Sequence, residues 1–174
     1  MAPRRVLLRG FFAALALVGA TGGALLVYQN MAPSNAVATP LAFHIPQTSY
    51  GPQKVVYHVA TRGSWRDRES EAWRLVAVLN NHLNAIEPEE IAIRVIFQGD
   101  GIEALKRAKT NPKLASALDG LKKRGVQFRV CANTLEAYRM GLETLHGVTE
   151  ANLVQAGVAE LIHLQQQGYA YLRF

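Results

Sequence analysis

Strand-like runs that alternate with helix-like runs predict a three-layer α/β domain built on a parallel sheet. Two observations carry that reading. Ile91–Phe97 (I-A-I-R-V-I-F) is a short β-branched run with no turn residue inside it, which suits a buried strand. Between such runs, apolar residues recur at helical rather than alternating spacing. A third observation concerns function: the only cysteine, Cys131, ends one of these strands and runs straight into a helix.

The elements follow in order. Residues 1–38 read as a targeting segment. Arg4, Arg5 and Arg9 precede an uncharged run from Phe11 to Tyr28, and Ala36-Val37-Ala38 offers small residues at signal-peptidase spacing. Arg4-Arg5-Val6-Leu7-Leu8-Arg9 also resembles a twin-arginine export signal. The segment serves as a cleaved signal peptide or as a transmembrane signal anchor. The positive flank stays inside, so either route puts the domain in the periplasm, free or membrane-anchored. Residues 39–53 form a proline-rich linker with no Asp, Glu, Lys or Arg before Lys54.

The domain proper occupies residues 54–174. Lys54–Ala60 is the first strand, and Thr61–Ser64 a polar turn. The run from Arg66 to Ile86 places Ala72, Trp73, Val76, Leu79, Leu83 and Ile86 on one helix face, and Pro88 ends it. After Ile91–Phe97 come a tight Gly99-Asp100-Gly101 loop and a short helix, Ile102–Ala108. Leu114, Ala117, Leu118 and Leu121 stripe the next helix, which Gly125 stops. The cysteine strand follows, then a helix opened by Asn133-Thr134. Leu153–Ala156 reads as a very short strand. Val158, Leu161, Ile162 and Gln165 mark a last helix, and Tyr169–Phe174 a final strand.

Composition narrows the function. The formal charge is +6, of which three charges sit in the leader, leaving +3 for residues 39–174. No basic stripe with interleaved aromatics exists, so nucleic-acid binding is not expected. Five scattered histidines and one cysteine give no metal-ligand spacing. Gly99-Asp100-Gly101-Ile102-Glu103-Ala104 has the glycine spacing of a dinucleotide loop. It follows the second strand, however, and Asp100 would repel a pyrophosphate. A tight turn bringing backbone N–H groups near the cysteine is the better reading, and no cofactor is expected.

A thiol at a strand-to-helix junction ionises more readily and acts as a nucleophile or sulfur carrier. The alternative is a buried, inert cysteine packed under the helix. Asn133 and Thr134 serve either as helix caps or as hydrogen-bond donors to a bound sulfur species. His58 is a hydrogen-bonded core or rim histidine, or a proton donor near the sulfur. Gln127 and Arg129 suggest that one face of their strand is wet, at an edge or an oligomer interface.

Several segments together resemble the DsrE/DsrF-like family. They are Val55-Val56-Tyr57-His58-Val59, Asn81-His82-Leu83-Asn84-Ala85, the run from Gly125 through Cys131, Asn133 and Thr134 to Leu135, and Ala156-Gly157-Val158-Ala159-Glu160-Leu161 through Leu164 to Tyr171. The resemblance spans residues 54–174 and is nearest to small single-domain members. It implies an α/β/α sandwich with a parallel sheet of about five strands and a homo-oligomeric assembly. In the sulfur-relay members a cysteine after a strand carries sulfur as a persulfide, and Cys131 alone matches it. Those members are cytoplasmic, whereas this chain carries an export signal.

The expectation is thus an exported sulfur-handling protein, relaying sulfane sulfur on Cys131. Asn133, Thr134, Gly99, Asp100, Gly101 and His58 would form the surrounding site. Its partners would be further copies of itself and a thiol or sulfur-relay protein, with membrane contact only through the N-terminal segment. A sulfurtransferase and a plain carrier both fit. The competing expectation is a non-catalytic oligomeric binding module with an inert cysteine.

Overall fold

The structure, a computed structural model, describes residues 48–60 and 68–174. The leader, most of the linker and the turn after the first strand lie outside these residues. Five parallel strands form one sheet: β1 (Gln53–Val59), β2 (Ile91–Phe97), β3 (Gln127–Cys131), β4 (Leu153–Val154) and β5 (Ala170–Arg173), in the order β4-β3-β2-β1-β5. Helices α1 (Arg68–Ala85), α2 (Glu103–Ala108), α3 (Pro112–Lys123), α4 (Ala132–Ala137) and α5 (Gly157–Gln166) connect them.

Strand alternation sorts the side chains onto two faces. Val55, Tyr57, Val59, Ile93, Val95, Phe97, Phe128 and Val130 face one way. They pack into the main core with Leu75, Leu79, Leu105, Leu114, Leu118 and Leu121 of α1, α2 and α3. Phe97 and Phe128 meet edge to face at 5.3 Å between ring centres, a favoured aromatic arrangement. On α1 the buried stripe includes Leu75, one turn before Leu79. Sequence spacing had passed over it.

The other face is covered unevenly. Val56 and Ile96 pack with Leu161, Leu164 and Tyr169 in a small second cluster under α5. Covering of both faces is therefore correct in kind, but a single full helix does the work on this side. Helix α5 buries Leu161 and Leu164, while Val158 and Ile162 stand 56% and 58% exposed. Beyond α5 the face carries Arg94, Gln127 and Arg129. Because β4 pairs only with Val130 and Cys131, the first half of β3 has an open edge, which suits its polar side chains.

Two helix ends show how glycine sets the strand entries. Gly125 (φ +90°) and Gly168 (φ +86°) adopt the left-handed conformation. After α3, the Gly125 N–H bonds Lys122 O and the Val126 N–H bonds Leu121 O. After α5, the Gly168 and Tyr169 N–H groups bond Gln165 O and Leu164 O. Both are Schellman closures, and both feed directly into the following strand.

A polar tie fastens α1 to β1. His82 Nε2 donates to Gln53 Oε1 (2.8 Å), so Nδ1 is left to accept from the Tyr57 hydroxyl (2.8 Å). Arg124 donates to Asn80 and Asn84 (2.7 Å each) and joins α3 to α1. Asn80 and His82 thus tie α1 to its neighbours.

Candidate functional site

The carboxyl ends of β2 and β3 and the start of α5 converge on Cys131. β3 keeps extended geometry through Cys131 (φ −70°, ψ 115°), and α4 begins at the next residue. The Val130 partner on β2 is Phe97, so Gln98 comes level with Cys131. Phe97 and Val130 both face the main core. Gln98 and Cys131 therefore share the opposite face, beneath the N-terminus of α5.

Four donors lie around the Cys131 sulfur and favour its ionised form: the Thr134 hydroxyl and the backbone N–H groups of Gly157, Thr134 and Asn133. Burial pushes the thiol up. The four donors outweigh it, with Thr134 the largest of them, and the thiol ends below its ordinary range. Helix α4 has only six residues, so its macrodipole is small, and the effect comes from the direct donors. Thr134 is itself held in place: its Oγ1 accepts the Gly99 N–H at 3.0 Å. That contact holds the hydroxyl oxygen and leaves its hydrogen available to the sulfur.

Two glycines permit this closeness. A Cβ on Gly101 would overlap the Val59 carbonyl, so the turn 99–102 can lie against the end of β1 only because position 101 has none. A Cβ on Gly157 would overlap the Gln98 side chain and crowd Ile96. Its absence lets the first N–H of α5 approach the sulfur.

The profile of the DsrE/DsrF-like family matches residues 54–174, the whole globular part of the chain. The chain belongs to the DsrE/DsrF-like family. A solved structure of similar fold is the protein of unknown function MTH1491 from Methanobacterium thermoautotrophicum. It is 28% identical, with a TM-score of 0.56, over 70% of this chain and 99% of that one. No curated protein matches this chain.

Against this family background, the expected site residues divide. Cys131, Thr134 and the Asn133 and Gly99 backbones come together. The Asn133 side chain is exposed, and its N–H also bonds Gln155 O at 3.2 Å. The expectation that Asn133 and Thr134 cap the helix is corrected. Cys131 is the N-cap residue of α4, and the Thr134 side chain is drawn away by Gly99. Asp100 accepts from the Tyr138 hydroxyl (3.0 Å) at the rim, and Gly101 acts through the turn it permits. His58 is two strands from Cys131 and pairs with the Tyr171 hydroxyl through Nδ1 (2.9 Å). It touches β5, not the sulfur. Burial, then the Arg173 charge, holds its imidazole below the ordinary range.

Of the two expectations for Cys131, a reachable nucleophile and a buried cysteine, its 4% exposure agrees with the second. Gly157 and Gln98 are not among the site residues expected from the sequence. The available signal was a glycine at the first position of a helix, separated by two residues from a very short strand, where close backbone approach is a common reason. Among the described residues no group of three His, Cys, Asp or Glu could hold a metal ion. No described helix is long and apolar enough to cross a membrane; the N-terminal segment lies outside these residues.

Proposed function

We propose that this protein handles sulfane sulfur, holding it as a persulfide on Cys131 and passing it to an acceptor thiol. Membership of the DsrE/DsrF-like family supports a sulfur-relay role. The observation that carries the reading is the group of donors around one buried sulfur, the Thr134 hydroxyl and three backbone N–H groups, which holds the thiol below its ordinary range. An apolar core cysteine needs no such set, since the thiol is a weak acceptor. A sulfur anion does, because burial without partners would return it to the neutral form. Thiolate is the attacking species in sulfur exchange.

The low exposure of Cys131 favours a second reading, a binding module whose cysteine is inert. It also restricts the first reading to small sulfur donors. Mass spectrometry separates the two. After incubation of the full chain with polysulfide or thiosulfate, the proposal requires a product one sulfur atom heavier on wild type and none on Cys131→Ser. An unchanged wild-type mass, or the same adduct on the serine variant, removes the relay reading.

Export and assembly complete the proposal. The arginines and uncharged run of residues 1–38 support a periplasmic domain, soluble or anchored. Exposed Val158 and Ile162 beside a polar sheet face support self-association through α5. The acceptor would be a thiol on a partner protein.

A further inference from the structure

Resting on the sulfur-handling reading, we infer that Gln98 is a specificity-determining residue that selects donors bearing an S–H hydrogen, hydropersulfides, over oxyanionic donors such as thiosulfate.

The argument begins with an unfilled hydrogen bond. Gln98 Oε1 is buried and has no partner. Such an orphaned acceptor is uncommon and unfavourable. It lies against Gly157, where a Cβ would displace it, and the Gly157 N–H is one of the donors to the Cys131 sulfur. Gln98 also directly follows Phe97, the β2 partner of Val130, and so stands just past the strand end at the level of Cys131. His58 Nε2, on the next strand, is likewise buried without a partner. The cradle therefore offers donors for one sulfur and, beside it, an acceptor waiting for a hydrogen.

A hydropersulfide R–S–S–H meets both demands. The Cys131 thiolate attacks its outer sulfur. The new S–S bond forms as the donor's own S–S bond breaks, and R–S⁻ leaves with the electron pair. The hydrogen stays on the transferred sulfur. The product, Cys131–S–S–H, donates that hydrogen to Gln98 Oε1. One disulfide bond replaces another, so no oxidant or reductant is required. Thiosulfate brings no hydrogen and presents only acceptor oxygens to the Gln98 carbonyl.

The test uses the full chain, methyl hydropersulfide as a small donor, and thiosulfate, with the gain of one sulfur followed by mass. Gln98→Met keeps the length of the side chain and removes the acceptor; Gln98→Leu is the second variant. Hydropersulfide loading should slow by about tenfold in both, the worth of one hydrogen bond. Loading from thiosulfate, and alkylation of Cys131 by iodoacetamide, should stay within about twofold. Both variants should unfold at or above the wild-type temperature, because a buried orphan has been removed. Equal slowing with all reagents, or unchanged hydropersulfide loading, overturns the role of Gln98 and leaves the sulfur-handling reading intact. A wild type that loads from neither donor overturns both.

Discussion

Thr134→Val removes one hydroxyl and keeps the shape of the side chain. The hydroxyl is the largest of the influences that favour ionisation of Cys131, and it also receives the Gly99 N–H at 3.0 Å. A hydrogen bond to a charged group is worth about 1.5 kcal/mol at the low end, close to a tenfold change in equilibrium. Neutral-pH thiolate should therefore fall by about tenfold. Each remaining thiolate becomes more nucleophilic, by about threefold for a Brønsted slope near 0.45. Alkylation should thus be about threefold slower at pH 7 and about threefold faster on the alkaline plateau. The wild-type and variant pH–rate profiles must cross. The assay is iodoacetamide labelling of the native full chain from acid to alkaline pH, read by mass. Thr134→Ser should restore the wild-type profile. Superimposed profiles, or slower labelling at every pH, would refute the reasoning, the latter by showing that access rather than ionisation had changed.

Other outcomes follow from the same geometry. Gly157→Ala should push Gln98 aside and pull an N–H from the sulfur, slowing alkylation at neutral pH and costing about 1–3 kcal/mol of stability by overpacking, measurable by urea denaturation. Gly101→Ala should be at least as damaging, since its Cβ would meet backbone at Val59, which cannot rotate away; thermal unfolding reads this directly. His58 and His82 are both held below the ordinary imidazole range by burial, His58 further by Arg173. The unfolded chain then binds more protons than the folded one as pH drops through about 6.5. Stability present above that pH should be lost toward acid, and His58→Gln with His82→Gln should flatten the slope. Cys131 acts at the other end of the scale. Its depressed thiol binds fewer protons folded than unfolded, so its contribution grows as pH rises from its folded value to the ordinary thiol range, and Cys131→Ala should lose that rise.

Much of this was legible in the sequence because the signals are local. Ile91–Phe97 and the Leu114–Leu121 stripe declare their elements through periodicity, and Gly125 and Gly168 mark the helix ends. The cysteine junction was equally plain. What could not be read depends on residues distant in the chain. Thr134 looks like a helix cap until Gly99, 35 positions earlier, takes its oxygen. Gly157 and Gln98 belong to the site only because β2, β3 and α5 meet there. His58 sits on a strand of the right kind, but strand order places β2 between it and Cys131. The depth of the sulfur is a matter of packing, which a strand-to-helix pattern does not report.

The most direct measurement is a crystal structure of the full chain treated with polysulfide. The account predicts a second sulfur bonded to Cys131 Sγ, seated between Gln98, Thr134 and the first turn of α5. A lone, unmodified sulfur in a treated crystal would contradict it.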